Sequence, residues 1–218
     1  MVLYFHPIGY GPGKDDNLIY VGKDKHENED LIKYGLPQDI WFHVSDLSSA
    51  HVYLRLPQGQ AMSDISPETL DDCIQLVKAN SITGNKTNNI DVVYTPWSNL
   101  KKTASMEVGQ VGFHSNKLVK KVRVEKRIND IINRLNKTKQ ELYPDLAAER
   151  ENYDRGIRAV RKAEVQDTRK AEKAAKDEEQ RQADLRSYKN VMTADSMSSN
   201  KDMAQKYKSA ADYEDGFM

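Results

Sequence analysis

Glycine and proline punctuate the chain as far as about residue 126 and then almost disappear, a change that constrains its fold more than any other feature. Before it, short apolar stretches lie between Gly, Pro, Asn, Asp and Ser, the pattern of strands and turns. After it, nothing prevents the chain from running as helix. Strands are predicted over 17–23, 39–44, 51–56, 90–95, 110–114 and 119–124. Ser66-Pro67-Glu68 opens a helix with a capping hydroxyl, a proline in the first turn and early negative charge. Leu70, Cys73, Ile74 and Val77 then repeat at helical spacing, so Cys73 belongs to a buried stripe. A shorter helix is predicted over 27–34, closed by Gly35 and Pro37.

Val124, Ile128, Ile131 and Leu135 lie four, three and four residues apart, which predicts an amphipathic helix over about 127–142 docked on the sheet. Past Pro144, the apolar stripe of Leu146, Tyr153, Ile157 and Val160 runs out near residue 165, while charged residues continue to Arg186. A coiled coil needs apolar a and d positions over about three heptads or more. The stripe covers barely two, so a single charged helix in a monomer is expected. Opposite charges four apart, such as Glu151/Arg155 and Glu172/Lys176, support such a helix by roughly 0.2–0.5 kcal/mol each. The expected architecture is an α/β (α+β) sheet-and-helix domain over 1–143, an extended helix over 144–189 and a disordered tail over 190–218.

Net charge is zero, from 33 basic and 33 acidic residues among 218, but the mean hides an asymmetry. Residues 1–120 hold 11 basic and 14 acidic side chains, whereas residues 121–189 hold 19 and 14. A basic segment of this kind favours a polyanionic partner. One cysteine excludes a disulfide framework and a cysteine zinc site, and a reducing compartment is expected. The opening MVLYFHPIGYGPG lacks the features of a secretory signal. No run approaches the ~18 apolar residues of a spanning helix. A cytoplasmic or nuclear protein without a membrane-spanning segment is expected.

The strand D-I-W-F-H-V at 39–44 and the strand H-V-Y-L-R-L at 51–56 form a candidate hairpin. Matching their aliphatic sets places Ile40, Phe42, Val44, Val52, Leu54 and Leu56 on one face. Trp41, His43, His51, Tyr53 and Arg55 then share the other. Rings, imidazoles and a guanidinium can stack bases and contact phosphate; the same face can equally be a second core under a helix. A zinc site on His43 and His51 lacks further ligands. General acid–base chemistry by either histidine, oriented by Asp39 or Asp46, has no accompanying nucleophile or carboxylate pair, so an enzyme is not expected. The Gly9–Gly13 glycines enclose a proline and precede no helix pattern, which makes a loop and not a phosphate cradle. Basic pairs flank turns at Lys23 and Lys25, Lys78 and Lys86, and Lys101 and Lys102, where long side chains can reach a polyanion.

Several ordered motifs carry a resemblance. Tyr20-Val21-Gly22-Lys23-Asp24-Lys25 with Asn28-Glu29-Asp30-Leu31, the 39–44 strand, Ser48-Ser49-Ala50-His51-Val52, and Tyr94-Thr95 ahead of Lys101-Lys102 and Gly109-Gln110-Val111 resemble the NFACT-R domain. The resemblance implies an α/β domain that binds RNA, in factors of ribosome-associated quality control that engage the large ribosomal subunit and transfer RNA. Lys23, Asn28, Trp41, His43, His51 and Lys101 fall on its motifs. The larger members' N-terminal domain and helical middle region are not expected in this chain.

The leading expectation is therefore a non-enzymatic RNA-binding or ribosome-associated module without a cofactor. Its expected contacts are Lys23, Lys25, Asn28, Trp41, His43, His51, Tyr53, Arg55, Lys101 and Lys102. The alternatives are a helical adaptor that binds protein partners through its charged arm, and a DNA-binding protein using the same basic surface. A hydrolase acting on a transfer RNA ester is the most remote.

Overall fold

The computed structural model describes residues 1–10, 17–187, 197, 199, 201 and 202. Apart from residues 197, 199, 201 and 202, the tail expected over 190–218 lies outside the described residues, as do residues 188–189 of the expected helix and residues 11–13 of the glycine-rich stretch. Among the described residues nine strands occur, in the order β1 (Val2–Phe5), β2 (Leu18–Gly22), β3 (Asp39–Val44), β4 (Val52–Arg55), β5 (Ile90–Pro96), β6 (Leu100–Lys101), β7 (Gly112–Phe113), β8 (Lys120–Val124) and β9 (Gln140–Leu142). Seven of them form an antiparallel sheet in the order β8-β5-β3-β4-β2-β1-β9, and β6 and β7 pair separately.

The hairpin register follows the alternation of the sequence. Trp41 pairs with Tyr53 and Phe42 with Val52, so the aliphatic and the aromatic-polar residues separate onto opposite faces. All six expected aliphatic residues lie in the first core, with Phe5, Ile19, Cys73, Val77, Val92 and Leu135. Helices α2 (Pro67–Ala79) and α3 (Asn129–Lys137) cover it. Ser66 caps α2 by accepting from the Thr69 N–H at 3.2 Å, as its sequence signature requires. Burying each Leu, Ile, Val or Phe of this face stabilises the fold by about 1.5–3 kcal/mol.

Two helices differ from the sequence expectation. Helix α1 (Lys25–Tyr34) begins before residue 27 because the Asp24 carboxylate accepts from the N–H groups of His26 and Glu27, at 2.9 and 3.0 Å. The helix expected over 127–142 is only Asn129–Lys137, and residues 140–142 instead pair with β1. Val124 belongs to β8, Ile128 is exposed, and Ile132 with Leu135 makes the buried contact. Nothing local marks this start: the Ile128 N–H is held by Gln75 Oε1 at 2.9 Å, a tertiary contact.

The second face buries Val2, Tyr4, Tyr20, Leu31, Trp41 and Tyr53. Leu31 of α1, Leu100, Val111 and Phe113 around the β6–β7 pair, Trp97, and Leu146 at the start of α4 (Leu146–Arg186) pack on it. Residues 1–156 form one compact unit and 157–218 another. In the second, the described residues of α4 are exposed, and Ile157, Val160, Val165 and Leu185 make no regular seam. Among the described residues no helix is long and apolar enough to cross a membrane.

Candidate nucleic-acid interface

The hairpin face that gathers Trp41, His43, His51, Tyr53 and Arg55 is largely a second core. Trp41 is 3% exposed and Tyr53 0%, so neither ring is displayed for base stacking as the sequence reading allowed. Tyr53 stacks on Tyr20 with ring centroids 5.0 Å apart. Arg55 is committed internally: its Nε donates to Asp39 at 3.0 Å, its Nη1 to Glu149 at 3.5 Å, and its guanidinium lies over the Tyr20 ring. Asp39, fully buried, also accepts from the Tyr20 hydroxyl and the Leu36 N–H, both at 2.7 Å. This network satisfies charges that would otherwise make burial prohibitive. The Arg55 pKa is raised because its anionic neighbours outweigh the opposing effect of burial.

The two histidines stand at the open end of this face. His43 is half-buried and its Nδ1 donates to the Val44 carbonyl at 2.7 Å; burial lowers its pKa. His51 is 4% exposed, and burial, followed by the neighbouring His43, brings its pKa down to about 3. Both are therefore neutral imidazoles at physiological pH. With Trp41, Ser45, Asp46 and Phe113 they line a cavity of about 300 Å³. Among the described residues no three His, Cys, Asp or Glu side chains are arranged to hold a metal.

Lys102, expected at a phosphate, is a clamp. Its ammonium donates to Glu29 and to the Glu107 carbonyl, both at 2.7 Å, and to the Gln110 carbonyl at 2.9 Å, which uses its three donors. Burial works to raise the Glu29 pKa, but Lys102 and the Gly109 N–H outweigh it and the result is lowered. Gly109 has φ +84°, a conformation L side chains rarely adopt, and this turn delivers its N–H to Glu29. Lys25 lies alongside: a side chain at Gly109 would meet its Cβ at 3.6 Å. Lys23, Lys25 and Lys101 are exposed, whereas Asn28 is buried. Asn28 packs so tightly under Gly22 that a Cβ there would collide with its amide. Lys78 is also withdrawn, fully buried with its ammonium on the Gly84 and Thr87 carbonyls. Cys73 is a buried free thiol whose pKa burial raises.

The strongest basic surface was missed by attention to pairs at turns. Lys117, Lys120, Lys121, Arg123, Lys126 and Arg127 are all exposed on or beside β8, with Glu125 the one acid among residues 117–127. The signal was present as the run K-K-V-R-V-E-K-R. Val122 and Val124 turn toward the first core, so alternation sends Lys121 and Arg123 to the face that carries the histidines. Lys121 pairs with Val93, and Val93 with His43, which places Lys121 two strands, about 10 Å, from His43. Strand β8 ends the sheet, and its charges also discourage edge-to-edge pairing.

A basic edge strand beside a recessed aromatic and imidazole site is a surface able to attract a polyanion. Residues 1–115 match the NFACT protein RNA binding domain, and the chain belongs to this NFACT-R family. It is 60% identical to Coiled-coil domain-containing protein 25 of Mus musculus over 202 residues, which cover 93% of this chain and 96% of the mouse protein. Identity is 53% over 158 residues with the Coiled-coil domain-containing protein 25 homolog of Dictyostelium discoideum, covering 72% of this chain and 74% of that protein. With Protein JLP2 of Saccharomyces cerevisiae it is 43% over 133 residues, 60% of this chain and 64% of that protein. Neither the family description nor these names denotes an enzyme.

Proposed function

We propose that this protein is a non-enzymatic binder of structured RNA that acts on ribosomal or transfer RNA in translation quality control, in the cytoplasm or nucleus. The observation that carries the reading is the set of six exposed basic side chains on and beside β8. The family match supports RNA as the ligand class. Counterion release by such a strip supplies affinity without base recognition. Lys121 has an ion-pair partner, Asp91 at 3.6 Å, but that pair is solvent-exposed and of little energetic weight, so it does not compete with a phosphate.

The test is the salt dependence of binding of the full chain to a labelled structured RNA. Each phosphate contact contributes roughly 0.7–0.9 to the slope of log affinity against log salt, so Lys120→Gln, Lys121→Gln and Arg123→Gln together should flatten it by about two. Lys101→Gln should flatten it by less than one. An unchanged slope in the triple variant would remove β8 from the interface. Equal affinity for duplex DNA would redirect the reading to nucleic acids in general. Crosslinking and sequencing in cells decides the target, with ribosomal or transfer RNA expected. Co-purified proteins without RNA would favour a helical adaptor instead.

A further inference from the structure

The cavity beside His43 differs from the rest of the second face in what it leaves unmatched. Trp41 and His43 stack with ring centroids 5.4 Å apart and planes within 4°. His51 stands edge-on to both, at 5.4 Å from Trp41 and 5.1 Å from His43. The three rings make two walls meeting at a corner. Trp41 Nε1 and His51 Nδ1, on side chains more than nine-tenths buried, have no hydrogen-bond partner in the protein. A buried polar atom left unpaired costs about 1–3 kcal/mol, so two residues that carry such atoms and border one cavity mark it as a place not shaped by packing alone.

The chemistry of the walls selects the occupant. An anion finds no positive charge among the lining residues, because both imidazoles are neutral, and it meets the Asp46 carboxylate at the rim. A purely apolar group would leave the polar lining of Ser45, Asp46 and Gln110 unmatched. A planar neutral ring with donors and acceptors on its edge suits this uncharged, partly polar lining and gains stacking area against the half-buried rings of His43 and Phe113. The volume, about 300 Å³, is at the lower limit of small-molecule pockets and suits one such ring. Lys121 and Arg123 lie two strands away on the same face, where the backbone of the chain bearing that ring would pass.

We propose that this cavity receives one unpaired nucleobase of an RNA whose phosphates lie along β8. The inference rests on the reading of the protein as an RNA binder and names the element of RNA it recognises: a single base outside a helix.

The experiment uses the full chain and three labelled RNA stems identical except at one position: a bulged nucleotide, an abasic site at the bulge, and no bulge. The bulged stem should bind about tenfold tighter than the other two, within the range set by stacking of one base. His43→Ala, at a half-buried position, should erase that preference while leaving affinity for the unbulged stem unchanged. Lys121→Gln with Arg123→Gln should weaken all three stems by the same factor. Equal binding of the three stems, still dependent on Lys121 and Arg123, would overturn the base site and leave RNA binding standing. Failure to bind any stem would overturn both. A preference for the bulge that survives in His43→Ala would place the base elsewhere and overturn the assignment to this cavity.

Discussion

The two faces of the central sheet are made by alternate residues of the same strands, yet they are built to different standards. The first packs Ile40, Phe42, Val44, Val52, Leu54 and Leu56 under α2 and α3. The second buries a carboxylate and tyrosines beside a half-buried arginine, and among its buried side chains Trp41, His51 and Tyr53 each keep an unpartnered polar atom. Stability is concentrated on the side whose core is mostly apolar and satisfied by contact. The side with unmet hydrogen bonds sacrifices some of it, and that is where a ligand has most to offer.

The sharpest break of this contrast is Leu54→Ala. Leu54 is fully buried in the first core, and its truncation should destabilise the domain by about 2–5 kcal/mol in a urea melt. A loss under 1 kcal/mol would show that the first face is not the stabilising one. Next comes the stacked tyrosine pair, a comparison within the second face. Tyr20→Phe removes a hydrogen bond to a buried carboxylate and should cost about 1.5–3 kcal/mol. Tyr53→Phe removes an orphaned hydroxyl and should be neutral or stabilising by up to about 1 kcal/mol. Equal losses in the two variants would mean that Tyr53 is satisfied after all.

Acid should act through His51. Its folded pKa of about 3 lies below the ordinary histidine value, so between those limits the unfolded chain binds the proton and the folded chain does not. The stability it contributes is complete above pH ~6.5 and declines as pH falls, by up to about 1.4 kcal/mol per pH unit. Chemical melts at pH 7, 6 and 5 should show the decline, and His51→Asn should flatten it. An identical pH profile in His51→Asn would assign the acid sensitivity to other groups. The smallest effect is expected at Arg123→Ala: an exposed side chain whose loss should change stability by less than about 0.5 kcal/mol while reducing the salt slope of RNA binding.

What could be read from sequence was what is encoded locally. The alternation in 39–44 and 51–56 specified both faces, and Ser66-Pro67 specified the start of α2. Alternation could not say whether the aromatic face is covered, because its cover comes from other elements: the neighbouring α1 and, distant in the chain, the β6–β7 pair and Leu146. Lys102 read as a surface cation because the carboxylate it clamps is 73 residues away. Strand β1 was not anticipated, since VLYF is too short to show a period, and QEL of β9 carries no hydrophobic pattern at all. The basic strip at 117–127 was legible, but only the register of β8 shows that Lys121 and Arg123 share a face with His43.

The place of β1 in the sheet also bears on the order of assembly. One neighbour, β2, follows it closely in the chain, but the other, β9, begins at residue 140, and the His6 N–H reaches Thr138 across 132 residues. Closing so long a loop is entropically expensive and slow relative to local pairing. During synthesis the first strand made is therefore the last to be flanked on both sides. Until residues 140–142 leave the ribosome, β1 is an open hydrogen-bonding edge on a nascent chain, exposed to mispairing for the whole interval.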